Sequence, residues 1–216
     1  MKNFTNFIIP LLLIVFWNPV HAQKLHFKTG PSFSAVKTDL NGNESMTGYL
    51  TSFAFHAGID YLKKGSFNLS SEIGWVRKGL REQIYIMDND GNLTGESFEL
   101  KLHRDYLHLN TLANYHIPLA DKLSIFANAG PYVGISLAGD DCINDTTLFG
   151  LVTGAGFKYD LANYQLGVVF DYYLDFNHLT DTDFELPIVN TSSTSRYHLV
   201  KDYKAFALQL YFAIDL

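Results

Sequence analysis

The sequence predicts an all-β fold, an eight-stranded antiparallel up-and-down transmembrane β-barrel. Three observations predict it. The stretch from Tyr203 to Leu216 alternates without a gap, Phe206, Leu208, Leu210, Phe212, Ile214 and Leu216 against Ala207, Gln209, Tyr211, Ala213 and Asp215. A period of two marks a strand whose faces meet different surroundings. The same template recurs seven times upstream, and the connections alternate long and short. Outer-membrane barrels have that asymmetry, with an even strand number and both termini in the periplasm.

Ahead of the barrel, residues 1–22 read as a cleaved signal peptide. Lys2 gives a positive start, Phe7 to Trp17 an apolar run, and Val20-His21-Ala22 the small residues a signal peptidase needs. The run is shorter than the ~20 residues of a membrane helix, which argues against an uncleaved anchor. Residues 23–216 then make one barrel domain. Without Lys2 its net charge is −7, fifteen Lys and Arg against 22 Asp and Glu, and no basic patch points to nucleic acid. Cys142 is the single cysteine, so no internal disulfide forms and none is left to carry a lipid anchor. Export without disulfides suits a bacterial envelope.

The first strand, Lys24 to Val36, sets Leu25, Phe27, Thr29, Pro31 and Phe33 against His26, Lys28, Gly30, Ser32 and Ser34. A proline inside it predicts a local bulge at Pro31. The second, Tyr49 to Leu62, sets Phe53, Phe55, Ala57, Ile59 and Tyr61 against Ala54, His56, Gly58 and Asp60. Lys63-Lys64-Gly65-Ser66 is a tight turn. In the third strand, Phe67 to Gly79, Phe67, Leu69, Ser71, Ile73 and Trp75 point out, and Asn68, Ser70, Glu72 and Gly74 point in.

Leu80 to Asp105 reads as a hairpin continuing beyond the membrane, around Asp90-Gly91. Its apolar Phe98, Leu100 and Leu102 are even-numbered, whereas Leu107 and Leu109 are odd, which predicts a bulge or break near Arg104. The fourth strand, Tyr106 to Ile117, closes on the turn Pro118-Leu119-Ala120-Asp121. The fifth, Leu123 to Leu137, turns Phe126, Asn128, Gly130, Tyr132 and Gly134 inward, and the sixth, Thr147 to Tyr159, is lined inside by Gly150, Gly154 and Gly156. After a third tight turn, Asp160 to Asn163, the seventh strand, Tyr164 to Phe176, faces Gln165, Asp171, Tyr173 and Asp175 inward. A last loop, about Asn177 to Asp202, returns to the closing strand.

Polarity separates a membrane barrel from a soluble one. A lipocalin-like barrel turns its apolar side chains inward. Here the face bearing the glycines also carries Lys28, Asp60, Glu72, Lys158, Asp171, Asp175 and Asp215. Eight strands leave room for side chains only, so those charges are expected to pair inside as a lumenal polar network with an acidic excess. Enclosed among such acids, Lys158 would cost ~3–5 kcal/mol to truncate. About ten residues at ~3.3 Å, tilted ~40°, span roughly 25 Å, the height of an apolar band. An aromatic girdle of Tyr61, Phe67, Tyr159 and Tyr164 flanks the tight turns, with Trp75 at the far interface and Arg77 just beyond it. By the same faces, Leu210→Arg should cost more than Gln209→Arg.

The stretches KTGPSFS, FHAGIDY, LSSEIGWVRKG, YLHLNTLANY, FANAGPYVG, GLVTGAGFKY and AFALQLYFAIDL, in that order, resemble the PorT-type outer-membrane β-barrel family of Bacteroidota. The resemblance covers nearly all of residues 23–216, with Asn110 where that family often has proline and Leu216 where an aromatic usually ends the chain. It implies a small outer-membrane barrel and, as one possible role, an accessory of secretion or assembly. A shared fold confers no activity by itself.

Specific chemistry is thin. Seven histidines follow residue 22, but His108 and His116 on one strand lie ~26 Å apart, too far to share an ion. His26 and His56, on neighbouring strands, are expected at different depths and in lumenal hydrogen bonding. Asp88, Asp90 and Gly91 lack the rest of a calcium loop. Ser195 and His198 are the nearest thing to a nucleophile and base, without a nucleophile elbow around them. The expectation is a non-enzymatic protein without cofactor or metal site, its termini periplasmic and its loops outside. Its partners are the bilayer, the outer-membrane insertion machinery and an extracellular or envelope protein. A small-solute channel is the alternative, because the glycines of the fifth and sixth strands could leave a gap.

Overall fold

The computed structural model describes residues 24–40, 43–87, 93–139, 147–176, 184–185, 196–197 and 200–216. The signal segment, the Asp88 to Gly91 tip, Cys142, Ser195 and His198 lie outside the described residues. Eight long strands carry the fold: β1 (Lys24–Leu40), β3 (Leu50–Lys64), β4 (Phe67–Met87), β5 (Leu93–Pro118), β6 (Leu123–Gly139), β7 (Thr147–Leu161), β8 (Tyr164–Asp175) and β11 (Val200–Asp215). Three short ones accompany them: β2 (Asn43–Met46), paired to the end of β1, and the two-residue pair β9 (Phe184–Glu185) and β10 (Arg196–Tyr197). The long strands pair antiparallel to their chain neighbours, and β11 closes the sheet on β1 from Lys24↔Asp215 to Asp39↔Val200. The result is a closed eight-stranded barrel with no free sheet edge around its wall.

Burial follows the alternation residue by residue. On β11, Gln209 and Tyr211 are 1% and 4% exposed, whereas Leu208 and Leu210 between and beside them are 48% and 66% exposed. Phe53, Phe55, Phe149, Phe157, Leu166, Val168 and Phe170 are likewise on the outer wall. That wall is apolar and the bore is polar, the reverse of a soluble barrel.

The tight turns follow their chemistry. Gly65 opens the two-residue turn between β3 and β4 with φ +61°, as a type II′ hairpin turn requires of its first central residue. No bulge forms at Pro31. Pairing of β1 with β11 lapses at Gly30 and Pro31 and resumes in the same register at Ser32↔Ala207, while Pro31↔Phe53 continues the ladder to β3. The missing N–H is absorbed on one side of the strand only. Gly30 is required there, since a Cβ would lie 2.9 Å from the Gln209 Cα.

Near Arg104 the ladder does shift, between Asp105 and Tyr106 in the pairing with β6. The β4–β5 register, in contrast, runs unbroken from Phe67↔Tyr115 to Tyr85↔Ser97. Even-numbered residues of β5 therefore stay on the inner face throughout. Above the bore that face becomes apolar, and Leu102 packs with Leu80 and Val36. The switch from odd to even apolar residues near Arg104 is thus a change in what the inner face touches, beside a register shift made with β6 alone. A further shift between Asp60 and Leu62 places an extra residue, Tyr61, in β3.

Candidate functional site

Buried polar and charged side chains gather in the bore, and strand register assembles them in layers. At the end bearing the termini, Lys24 pairs with Asp215 at 3.0 Å, and the Asp215 side chain is 46% exposed. A cavity of about 270 Å³ opens here, lined by residues including Lys24, Asp60, Asn68, His116, Asp160 and Gln165. His116 and Asn68 meet across β4 and β5 at 3.0 Å.

One layer further in, His26 bridges two carboxylates. Its Nδ1 lies 3.1 Å from Asp60 and its Nε2 3.1 Å from Glu72. Its ring stacks on Tyr211 at 5.6 Å. Lys158 points into the same layer, 3% exposed, with its ammonium 4.2 Å from the Phe126 ring centre and 4.1 Å from that of Tyr211. Among the described residues no carboxylate oxygen lies within ion-pair distance of it. Rings meet the Lys158 ammonium directly, and their faces attract it where no carboxylate reaches bonding distance.

Lys28 occupies the next layer and donates to Glu72 at 2.9 Å and to Asp171 at 2.8 Å. Asn128 donates to Asp171 at 3.1 Å and Asn110 to Glu72 at 3.3 Å. Four partners from β1, β4, β6 and β8 thus connect across the barrel, with β5 adding Asn110, and the charges of Lys28, Glu72 and Asp171 are each paired, which makes buried charge tolerable. Above it Gln209 and Tyr173 flank His56, at 3.1 Å and 3.4 Å. His56 stands opposite Lys28 and His26 opposite Gly58 on the same strand pair, so the two histidines do sit in different layers. His108 stacks on Tyr132 with ring centres 4.8 Å apart.

The last layer was not anticipated. Lys78, fully buried, donates to both oxygens of Asp175 at 2.8 and 3.0 Å and to the Tyr132 hydroxyl at 2.9 Å. Tyr132 donates in turn to Asp175. Asp175 therefore belongs to this cluster and not to that of Glu72 and Asp171. With Lys78 and His26 included, the acidic excess expected inside is largely offset. Lys78 has the same parity as Glu72, Gly74 and Val76, so two more steps of alternation would have found it.

The glycines leave no gap. Phe126, Asn128 and Tyr132 stand opposite Gly156, Gly154 and Gly150 in the β6–β7 register. A Cβ on Gly156 would lie 2.7 Å from Phe126 Cε1, one on Gly154 2.9 Å from Asn128 Oδ1, and one on Gly150 2.7 Å from Tyr132 Cζ. Each missing side chain is space for a neighbour's ring or amide. Among the described residues no cluster of three or more His, Cys, Asp or Glu could hold a metal.

On the outer wall Phe67, Tyr159 and Tyr164 are 39%, 45% and 49% exposed beside the tight turns. Tyr61, at its bulge, accepts a hydrogen bond from Ser71 at 3.4 Å. At the opposite end Arg77 lies over Trp75 and forks onto Asp105 at 2.7 and 3.0 Å. A second aromatic group unread in the sequence surrounds Phe206, whose ring meets Phe33, Tyr49 and Phe170 at 5.0, 5.7 and 5.7 Å.

Residues 21–181 match the family described as outer membrane protein beta-barrel domain. No curated protein matches the chain in sequence. Among solved structures the chain is similar to Neisserial surface protein A, from Neisseria, at 12% identity and a TM-score of 0.51, over 89% of this chain and 97% of that one. It is also similar to OprG from Pseudomonas aeruginosa, at 11% identity and a TM-score of 0.49, over 90% and 97% of the two chains. The N-terminal β-barrel domain of OprF from the same organism gives 13% identity and a TM-score of 0.42, over 89% and 98%. At these identities the likeness to Neisserial surface protein A is one of fold alone.

Proposed function

The chain belongs to the outer membrane protein beta-barrel domain family, and from that premise we propose a non-enzymatic barrel with a structural or binding role carried by its extracellular loops. In this reading residues 1–22 are removed on export, the insertion machinery folds the barrel into the outer membrane, and both termini lie in the periplasm. The long β4–β5 hairpin then projects outward, available to an extracellular or envelope partner.

The observation that supports it most is the filling of the bore. Rings and amides stand over Gly150, Gly154 and Gly156, and Lys28 and Lys78 are each tied to carboxylates from opposite sides of the wall. A bore closed by side chains that hold one another has no reason to conduct solute. Planar-bilayer recording tests this. Pure protein should give no steady unitary conductance, and steady steps would overturn the reading in favour of a small-solute channel. The narrower PorT-type resemblance adds a role beside a secretion or assembly system, and an unchanged secreted proteome after deletion would count against it.

A further inference from the structure

The outward face of the β4–β5 hairpin continues the lipid-facing wall upward. Its odd-numbered pairs, in order, are Trp75↔Leu107, Arg77↔Asp105, Gly79↔His103, Arg81↔Lys101 and Gln83↔Glu99. Arg81 and Lys101 therefore stand directly opposite each other, and like charges in that position repel. Both lean on one carboxylate, Glu99: Arg81 pairs with Glu99 through one oxygen, and Lys101 with the other at 2.6 Å. The bond from Lys101, with Arg81 beside it, holds the Glu99 carboxyl below the usual carboxylate range. It is an anion at neutral pH, yet one anion serves two cations. Asp105, the other acid on this face, is taken by the fork of Arg77. Glu82, opposite Leu100, is even-numbered and belongs to the other face of the hairpin. The Arg81 and Lys101 side chains are 58% and 55% exposed.

We propose that this face docks the phosphate-bearing headgroups of outer-leaflet glycolipid. The pair of Arg81 and Lys101 lies six residues above Trp75, ~20 Å along the strand and ~15 Å along the membrane normal at a ~40° tilt. That is the height of a large glycolipid headgroup and beyond a plain phospholipid's. A phosphate completes what the fold leaves short, since a guanidinium fork and an ammonium side by side suit an oxyanion that bridges them. Exposed pairs of this kind are screened in water, but a ligand fixed in the membrane plane is presented at high effective concentration.

The proposal rests on the outward placement of this hairpin, so its test is built to separate the two. Protein purified from membranes is placed in phosphatidylcholine nanodiscs, with or without lipopolysaccharide in both leaflets, so the hairpin meets it whichever way up. The midpoint of the heat-modifiable gel shift should rise with lipopolysaccharide and rise less with its dephosphorylated form. R81Q/K101Q should lose at least half of that rise while keeping its midpoint in phosphatidylcholine alone. Should the double variant prove unstable, K101Q, which leaves the Arg81–Glu99 pair, should still lose part of the rise. K63Q at the opposite end should lose none. A full rise in R81Q/K101Q, or an equal rise with dephosphorylated lipid, overturns the proposal. Placement is read independently by labelling Ser97→Cys on intact cells in a Cys142→Ser background, and unlabelled cells would overturn the outward orientation while leaving the nanodisc result standing.

Discussion

Lys78 and Lys158 are both buried lysines of the bore, and their surroundings set them apart. Truncating Lys78 leaves the buried Asp175 carboxylate with the neutral Tyr132 hydroxyl and no cation, so Lys78→Ala should destabilise by ~3–5 kcal/mol through an uncompensated charge. Lys158→Ala removes two ring contacts and strands no carboxylate at bonding distance, and should cost ~1–2 kcal/mol. Urea titration of the gel shift in one lipid compares them, and equal losses would mean that Lys158 relies on Asp60 or Glu72 after all. Of these two, parity alone put Lys158 inside. Lys78 lies within the third strand as read from sequence, two steps of alternation beyond Gly74. Its partner Asp175 is 97 residues away, and which pairs meet across a barrel depends on stagger, which alternation does not encode. The same holds for His26 between Asp60 and Glu72.

Strands were the legible level. Six of the eight long strands begin within a residue of the positions read from alternation, because a one-residue slip would turn a whole face inside out, and β11 begins three residues ahead of Tyr203. β5 and the outer part of β4 were the exception in extent. The wall pairs β4 to β3 up to Val76 and β5 to β6 up to Arg104, and Gly79 and Arg81 are still bonded to Ser34 and Gly48, so the hairpin depends on its own two strands only beyond Arg81. Replacing residues 83–99 with Asn-Gly should leave the barrel folded and its gel shift intact, because Leu80 and Leu102 remain to pack on Val36. Loss of the shift would show that the hairpin is needed to close the wall. Pro31 taught the opposite lesson to the usual one. A proline argued for a bulge, but the fold lets one ladder lapse for two residues and keeps the register.

At the scale of the whole molecule the question is whether the apolar wall meets lipid, and the comparison of Leu210→Arg with Gln209→Arg cannot decide it. Gln209 is packed at 1% exposure against His56, so an arginine there overfills the bore and costs ~1–3 kcal/mol for reasons unrelated to the bilayer. A depth series on the outer wall alone avoids that. Leu210, mid-strand and 66% exposed, stands beside Val168. Leu174, 38% exposed, stands beside Lys204 near the outer end of the same strand pair. In a bilayer Leu210→Arg should cost ~2–4 kcal/mol and Leu174→Arg only ~0–1 kcal/mol, because an arginine near the interface reaches water and headgroups. In water both would cost about the same and little, since both side chains are already exposed. Folding each variant into liposomes and titrating with urea measures the gradient. Its steepness reports the bilayer directly, and a flat series would mean that this wall does not face hydrocarbon.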